Sequence, residues 1–395
     1  MSSKQKVEFL TKCYASANTH ISSNPKLSER VHALFGQMEA SVMSNPISGD
    51  CELPAMQLWQ EWRAFSKDYL NGFYQQFGIE FSEWDCESAH VPEAQALVDE
   101  LLKQKIASLT AEQLCVVNDA QSSQPVVLRK SDKSTLYLTR DLGAIHSRHR
   151  KFDADQYMYV VDSSQRNHFA QFKEMLNLMK EEELSEKIKH ISYGRVIGLS
   201  TRGGKNDSVD FLIESGEVEA KKFLEQSPTI KLTPEELPGM SQKVSRSIIV
   251  YESLRRKKFV EHTFSFRDSF SEHSGLSIQE KYSRINSMEL ANRDVMDVVN
   301  ARIQDGNFAK LNLEVTALTT DLAKLLGEFD DAVLSAYEQS EPAIMTAHLM
   351  KLAVQCGRSS RRLRVKGEPA ATAVPRMMLF AATKKVLGEG MKMLG

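Results

Sequence analysis

Apolar residues at helical spacing organise the first part of the chain. Two amphipathic patterns cover residues 5 to 40, and Asn24-Pro25 interrupts them. A third helix is predicted further on, and Gly78 comes where it should end. Its apolar residues recur every three or four positions and form one stripe: Leu58, Trp62, Phe65, Tyr69 and Phe73.

Short alternating runs follow this third helix. Ile79 and Phe81 alternate with acidic residues and predict a short strand, and Pro92 opens another helix that runs to about Lys103. Three β-type runs, QLCVVND, QPVVLRK and STLYLTR, are then separated by polar turns. A helix over 141–150 is predicted next, with Asp141 as its N-cap.

Strands and helices alternate between 157 and 192. The continuous apolar run YMYVV at 157–161 predicts a strand buried on both faces. A helix from about Gln165 to Lys180 separates it from a second strand near 189–192, and a glycine-punctuated loop covers 194–204. This alternation predicts an α/β fold built on a parallel sheet.

The last part of the chain has a different pattern. After about residue 215 we expect no strands, and a separate helical bundle or an array of packed hairpins. The fold class predicted for the whole chain is therefore α/β followed by all-α. Helical patterns cover 216–226, 234–258, 277–304, 311–338, 342–356 and 375–392.

Composition limits the classes of protein that fit. A chain of 395 residues is too long for one ordinary core, and 42% hydrophobic with 26% charged residues is typical of a globular protein. The net charge of −2 means that RNA binding would depend on local basic patches. The sequence contains no run of 18 apolar residues and therefore predicts no membrane span. The five cysteines are Cys13, Cys51, Cys86, Cys115 and Cys356. Their spacing is not that of metal ligands, so we expect reduced thiols and no metal held by the protein.

Polar residues follow two of the predicted strands. Tyr137 and Asp141 lie where one strand should pass into its helix, and Gln165 and His168 come just after the next strand. Ligands of parallel sheets sit beyond the carboxyl ends of the strands, so both pairs should face one crevice. A carboxylate there suits a guanidinium group, and a hydroxyl and an amide complete the recognition. The alternative is structural: Asp141 and Gln165 serve as helix caps and Tyr137 belongs to the core.

The glycine-punctuated loop is the second candidate. Its sequence, YGRVIGLSTRGGK, combines glycines, hydroxyls and cations, which suit a loop that closes over phosphates. The alternative is a basic surface loop. The candidate residues are Gly198, Ser200, Thr201 and Arg202.

Taken in order, these segments resemble arginyl-tRNA synthetases, a class I family. SDKSTLYLTRDLG and YMYVVDSSQRNHF are similar to the family's catalytic core, and GRVIGLSTRGG to its Lys-Met-Ser-Lys-Ser loop. LWQEWRAFSKDYLNGFYQQFGIEFSEWDCES resembles the helical stretch that ends in a Glu-Ser pair. GLSIQEKYSRINSMEL and PRMMLFAATKKVLGEGMKMLG resemble the anticodon-binding domain. The resemblance covers nearly the whole chain, and the first 50 residues match loosely.

The resemblance implies roles for the candidate residues. Tyr137, Asp141 and Gln165 would bind L-arginine, and His168 would lie near the arginine and the adenylate. The loop residues Gly198, Ser200, Thr201 and Arg202 would close over the phosphates of ATP, with Mg²⁺ expected on the nucleotide. The reaction implied is the activation of arginine by ATP and its transfer to tRNA-Arg, with catalysis mostly by positioning and charge stabilisation.

Three departures from the family pattern bear on activity. The printed chain contains no His-x-Gly-His, the motif that holds the ATP phosphates in the family. Gly203 stands where a lysine is common, and Lys133-Ser134 replaces an Asp-Gly-Thr turn whose glycine usually serves a positive φ.

Local basic clusters are candidates for contact with tRNA phosphates, with a solvated helix face as the alternative. Tyr282 is a candidate for stacking on an anticodon base, and an interhelical core contact is its alternative. The basic candidates are Arg255, Arg256, Lys257, Arg361, Arg362 and Arg364.

We therefore expect a partial class I catalytic domain at 1–215, with a helical insertion near 20–105, and an α-helical anticodon-binding domain of the DALR type at 216–395. The predicted function is arginine–tRNA ligase activity, in a monomer of the animal mitochondrial type, with a cytoplasmic location as the alternative. Two other hypotheses remain: a non-catalytic tRNA-binding relative, or an incomplete gene model whose front lies upstream of Met1.

Overall fold

The structure is a computed structural model that describes residues 1–44, 53–118, 125–197, 209–227, 230–270, 274–306 and 312–395. It divides into two compact units, Met1–Ile191 and Ser192–Gly395. The fold class predicted from the sequence is confirmed. The domain boundary predicted at 215/216 stays a prediction.

The first unit opens with three helices, α1 (Ser3–Ser22), α2 (Pro25–Ser44) and α3 (Pro54–Gln75). The predicted break at Asn24-Pro25 is confirmed, since α1 ends before it and α2 starts at the proline. In α3 the predicted apolar stripe is only partly covered: Phe65 is buried, whereas Leu58 is 48% exposed and Trp62 is 41% exposed.

The strand predicted around Ile79 and Phe81 is wrong. The chain reverses at Gly78, whose φ is +67°, and residues 79–86 form no strand. Phe81 instead packs edge to face against Tyr74, with ring centroids 4.7 Å apart, and against Trp84 at 5.6 Å. Aromatic packing onto the end of α3 therefore outweighs the local alternation.

A small sheet follows α4 (Val91–Lys103), the helix predicted from Pro92. Strands β1 (Ala107–Leu109), β2 (Cys115–Val117) and β3 (Val126–Arg129) are antiparallel in the order β1-β2-β3.

The β-type run STLYLTR is wrong as a strand, because helix α5 (Tyr137–Phe152) begins inside it. An isolated bridge between Arg129 and Thr135 is what continues the ladder. The hydroxyl of Thr139 donates to the Leu128 carbonyl at 2.6 Å, so a residue with high strand propensity fixes the helix against β3 instead. Asp141 is therefore in the second turn of α5, and its predicted role as N-cap is wrong.

The predicted strand at 157–161 forms as β4 (Tyr157–Asp162), and it pairs with β5 (Ile188–Tyr193). Between them lie a 3₁₀ turn (Ser163–Gln165), α6 (Arg166–Leu178) and α7 (Glu182–Lys187). The prediction that β4 is buried on both faces is wrong, because Met158 is 46% exposed and Val160 62% exposed. Tyr157 on the opposite face joins the core of this unit, together with Leu101, Leu128, Leu142, Ile145, Phe172 and Leu176.

The second unit contains two short strands that pair in parallel, β6 (Val196–Ile197) near its start and β7 (His262–Thr263) further along the chain. The expectation of no strand after residue 215 is therefore wrong at β7. Helices α8 (Val209–Gln226) and α9 (Glu236–Leu254) lie between these strands, and α10 (Phe266–Ser269) follows them.

Six further helices complete the described part of this unit. The pattern at 277–304 divides into two helices at Asn292, whose side chain donates to the Met288 carbonyl at 2.7 Å. The pattern at 311–338 also divides in two, and its first helix starts at a capping box made by Thr316 and Thr319. The helices are α11 (Gly275–Ala291), α12 (Arg293–Gln304), α13 (Ala317–Gly327), α14 (Phe329–Gln339), α15 (Pro342–Ser360) and α16 (Ala370–Leu394). Their core contains Ile285, Val299, Leu322, Leu349, Leu352, Met377, Phe380 and Leu387. Among the helices that the structure describes, none has both the length and the apolar character needed to span a bilayer.

His348 in α15 makes the stability of this unit depend on pH. The residue is 7% exposed, and its buried Nε2 has no hydrogen-bond partner among the described residues. Burial lowers the pKa of His348 below its ordinary value of 6.5, although Glu328 and a hydrogen bond to the Leu325 backbone oppose this and Lys351 adds to it. The unfolded chain therefore binds the proton more tightly, so folding stability falls as the pH falls below about 6.5.

We expect His348→Gln to flatten this decline. Each unit of difference between the folded and unfolded pKa corresponds to about 1.4 kcal/mol. Urea unfolding of the wild type and of His348→Gln between pH 7.5 and pH 5 measures the pH dependence of stability. The difference between their free energies of unfolding should become smaller as the pH falls. Parallel pH profiles would contradict the role of this histidine.

Candidate functional site

The first turns of α5 present two of the predicted residues. Tyr137 is the first residue of the helix and Asp141 lies four positions later, so both side chains share one face. Tyr137 is 72% exposed. Asp141 accepts a hydrogen bond from Nε2 of His168 at 2.7 Å, which makes these two side chains a charge-assisted pair when the imidazole is protonated.

The other two predicted residues lie where β4 ends. Asp162 caps the 3₁₀ turn by accepting from the Ser164 amide at 2.7 Å, and Gln165 is exposed at the N-cap position of α6. His168 comes three residues later, so it lies near Gln165 at the start of the helix. The structure thus brings Asp141 and His168 into contact. Tyr137 lies one turn before Asp141 on α5, and Gln165 lies about one turn before His168 at the start of α6.

Aromatic packing holds His168 from behind. Its ring meets Phe169 edge to face at 5.5 Å, and Phe169 stacks on His190 with centroids 4.6 Å apart and an interplanar angle of 15°. Burial lowers the pKa of His190, partly offset by a hydrogen bond to the Val161 backbone, so this imidazole is neutral at physiological pH. The aromatic rings that support His168 are therefore uncharged.

Arg140 is a residue that the sequence analysis did not select. It lies between Tyr137 and Asp141 in the sequence, and its side chain is only 8% exposed, with the guanidinium carbon 5.9 Å from the ring centroid of Tyr137. Nη2 pairs with Oε2 of Glu39 at 2.8 Å, and Nη1 pairs with Oε1 of Glu87 at 2.7 Å. Glu39 is on α2, 101 positions earlier, so local sequence patterns do not indicate this pair. The network lines a cavity of about 330 Å³ whose other walls are mostly apolar.

The turn before α5 keeps a backbone conformation that glycine favours. Lys133 has a φ of +68°, which is the left-handed region. Asp132 supports the turn by accepting from the backbone amide of Ser134 at 2.9 Å and from its hydroxyl at 2.6 Å. The positive φ that the family pattern assigns to a glycine is therefore adopted by a lysine, at a cost of about 1–2 kcal/mol.

The predicted phosphate loop lies outside the described residues. This applies to Gly198, Ser200, Thr201 and Arg202, and to Gly203. Just before it, the amide of Gly194 donates to the Lys258 carbonyl at 2.6 Å. A Cβ at Gly194 would lie 2.7 Å from the Val260 backbone carbon, so this close approach requires glycine.

The basic clusters belong to the second unit. Arg255 and Arg256 both pair with the buried carboxylate of Glu252, at 2.8 Å and 3.0 Å, which offsets part of their charge. Lys257 is exposed. After α15, buried Leu363 and Val365 alternate with exposed cations, which are thereby held outwards: Arg361, Arg362 and Arg364.

Tyr282 is partly buried against the core of the second unit. Its ring carbon lies 3.1 Å from the Cβ position of Gly388, and Nζ of Lys384 is 5.6 Å from its centroid. The interhelical contact that was its alternative is thus present, and stacking on a base stays a prediction.

Comparisons with known proteins agree with this architecture. The family model described as "tRNA synthetases class I (R), catalytic domain" matches residues 1–266. The family model described as "DALR anticodon binding domain" matches residues 278–395. The chain is therefore a member of the class I aminoacyl-tRNA synthetases, with a catalytic-domain region followed by a helical anticodon-binding domain. Within that class, the chain belongs to the arginyl-tRNA synthetase family.

The similar relatives come from more than one compartment. The chain is 26% identical over 398 residues to the mitochondrial arginine–tRNA ligase of Saccharomyces cerevisiae, covering 99% of this chain and 60% of that protein. It is 26% identical over 351 residues to the cytoplasmic ligase of the same yeast, covering 88% and 57%. The probable mitochondrial ligase of Bos taurus is also 26% identical, over 98% of this chain and 64% of its own length. The chain thus spans about 60% of the length of these curated relatives.

Solved structures show the same fold. The arginyl-tRNA synthetase from Plasmodium falciparum superposes with a TM-score of 0.76 at 19% identity, covering 93% of this chain and 62% of that one. The enzyme from Thermus thermophilus gives a TM-score of 0.74 at 16% identity, covering 98% and 68%.

Proposed function

We propose that this chain takes part in arginine–tRNA ligation: ATP-dependent activation of L-arginine and its transfer to tRNA-Arg. The observation that supports this most directly is the 2.7 Å contact between Asp141 and His168, flanked by Tyr137 and Gln165. Membership of the arginyl-tRNA synthetase family supports the identity of the substrate.

In this proposal Asp141 receives the guanidinium or ammonium group of arginine. A carboxylate binds such a group through two charge-assisted hydrogen bonds, and the exposed hydroxyl of Tyr137 and the amide of Gln165 add orientation. His168 fixes the rotamer of Asp141 and lies at the side where the adenylate would form. Bound ATP, with its Mg²⁺, would supply the adenylyl group: the arginine carboxylate would attack the α-phosphorus, the bond to the β-phosphate oxygen would break, and pyrophosphate would leave.

Arg202 and its neighbours in the loop are proposed to hold the nucleotide phosphates. We also propose that Arg255, Arg256, Lys257, Arg361, Arg362 and Arg364 contact the tRNA backbone, because clustered cations bind phosphates without reading sequence. The location proposed is mitochondrial, with the cytoplasm as the alternative, since relatives of both kinds are similar. A monomer is proposed.

Asp141→Ala is expected to weaken L-arginine binding by about 10- to 150-fold, because a hydrogen bond to a charged group contributes about 1.5–3 kcal/mol. Isothermal titration of the chain with L-arginine measures this. Asp155→Ala removes an exposed carboxylate just before β4 and is the matched control, expected to bind like the wild type. Equal affinities for Asp141→Ala and the wild type would contradict the proposed site.

A tRNA-binding relative without ligase activity is the second candidate, and the exposed cations Arg361, Arg362 and Arg364 of the second unit suit it. Charging of tRNA-Arg with radiolabelled arginine and ATP distinguishes the two. Turnover that Asp141→Ala abolishes supports the ligase. Salt-dependent tRNA binding without turnover supports the second candidate.

A further inference from the structure

We propose that Glu39 is a positioning residue for the arginine site, which it holds by clamping the start of α5. This rests on the proposed function, since it concerns the same site. In the part of the chain that the structure describes, the hydrogen bonds of Glu39 go to residues other than Tyr137, Asp141, Gln165 and His168. Its carboxylate instead reaches the residues that determine where the first turn of α5 lies.

The first contact is with the backbone just ahead of the helix. Oε1 of Glu39 accepts from the Thr135 amide at 3.0 Å and from the Thr135 hydroxyl at 2.7 Å. The N-cap residue itself, Leu136, has no side-chain acceptor to offer the first turn. A carboxylate from another helix therefore anchors the segment that enters α5, and it also places negative charge near the positive end of the helix.

The second contact is with the helix itself. Oε2 of Glu39 pairs with Nη2 of Arg140, which also donates to the Thr135 carbonyl at 2.9 Å, and Nε donates to the Thr135 hydroxyl at 3.0 Å. The guanidinium carbon lies 5.9 Å from the ring centroid of Tyr137. Arg140 is thus bonded on one side to Glu39 and faces a predicted arginine ligand on the other, and the next residue is Asp141.

Burial makes the clamp rigid. The side chains of Glu39 and Arg140 are 5% and 8% exposed, so water cannot replace either partner at little cost. Thr135 is 3% exposed. A residue of α2 therefore fixes the first turn of a helix that begins about 100 residues later, and a shift of about 1 Å in such a turn is enough to impair binding or catalysis severely.

Glu39→Gln isolates the charged contact. The amide oxygen can still accept from Thr135, whereas the amide nitrogen opposes the Arg140 guanidinium with a second donor. Glu252→Gln is the matched control, because Glu252 is also buried, 5% exposed, and pairs with two arginines in the second unit. Glu39→Asp keeps the charge on a shorter side chain and serves as the milder variant if Glu39→Gln does not fold.

L-arginine affinity is measured by isothermal titration at a temperature at which circular dichroism shows every variant folded. We expect Glu39→Gln to weaken binding at least tenfold, which corresponds to about 1.4 kcal/mol. Glu39→Asp should weaken it less, and Glu252→Gln should remain within twofold of the wild type although it too loses thermal stability. In hydrogen–deuterium exchange, the peptide covering 135–142 should exchange faster in Glu39→Gln than in Glu252→Gln.

Two results would overturn this proposal while the proposed function stands. Arginine affinity for Glu39→Gln within twofold of the wild type, with Asp141→Ala impaired, would leave the arginine site intact and remove only the role of Glu39. An equal loss in Glu39→Gln and Glu252→Gln would assign the effect to stability alone. A wild-type chain that binds no arginine would instead overturn the proposed function, and this inference with it.

Discussion

Replacement of Glu39 by alanine is expected to lower the free energy of unfolding of the first unit by about 3 kcal/mol, the lower end of the cost of breaking a buried pair, because the buried Arg140 guanidinium keeps Glu87, which is 47% exposed, as an acidic partner. It also removes the acceptor for the Thr135 amide and hydroxyl. Urea unfolding followed by circular dichroism measures the loss. With two compact units, each transition should be fitted separately.

Glu389→Ala is the control for an exposed ion pair, in contrast to the buried pair of Glu39 and Arg140. Glu389 pairs with Lys392 at 3.0 Å on an exposed face of α16, and such pairs contribute roughly 0–1 kcal/mol. Removing both buried charges, as in Glu39→Leu with Arg140→Met, should recover part of the loss, because a buried arginine that keeps only the partly exposed Glu87 as an acidic partner costs more than an apolar pair. A loss below about 1 kcal/mol for Glu39→Ala, the range of an exposed pair, would show that Glu39 and Arg140 are solvated in solution.

This network also explains which parts of the fold the sequence could predict. Helices α2, α3 and α6 are visible in the spacing of apolar residues, because their amphipathic faces are local properties. The start of α5 is not, because STLYLTR has the composition of a strand. What makes it helical there is a set of contacts to Glu39 and Leu128, which lie 96 and 11 residues before the residues they bind.

The residues of the candidate site also differ in whether local sequence patterns could predict them. Tyr137, Asp141, Gln165 and His168 were selected because they follow a strand pattern and match a family sequence, and the structure brings Asp141 and His168 into contact. Glu39 was missed because one glutamate in an amphipathic helix usually faces solvent. Its role depends on burial by other elements, which no pattern within α2 records.

The outer face of β4 shows a further limit. YMYVV has the apolar continuity of a strand covered on both sides, yet Met158 and Val160 are exposed in this chain. Continuity indicates how apolar a strand is, and coverage depends on which elements pack against each face. The sequence therefore identified the strand but not the exposure of one face.

Gly143→Leu is expected to destabilise the first unit by about 3 kcal/mol, the upper end of the usual cost of overpacking. A Cβ at Gly143 would lie 2.7 Å from the Ala94 amide nitrogen and 3.1 Å from its Cα, so α4 and α5 cross with their backbones nearly in contact. Backbone atoms cannot move aside as a side chain can. The two helices must separate, which disturbs the packing of Leu142 and Ile145, both fully buried.

Gly72→Leu is the matched control on α3, where an added Cβ meets nothing within 4 Å. There the same substitution should stabilise the helix by up to about 1 kcal/mol, since leucine has the higher helix propensity. Thermal and urea unfolding of both variants therefore separate propensity from packing. Because α5 carries Tyr137 and Asp141, Gly143→Leu should also weaken arginine binding at temperatures where the protein is still folded. Equal effects of the two substitutions would mean that α4 and α5 do not approach this closely.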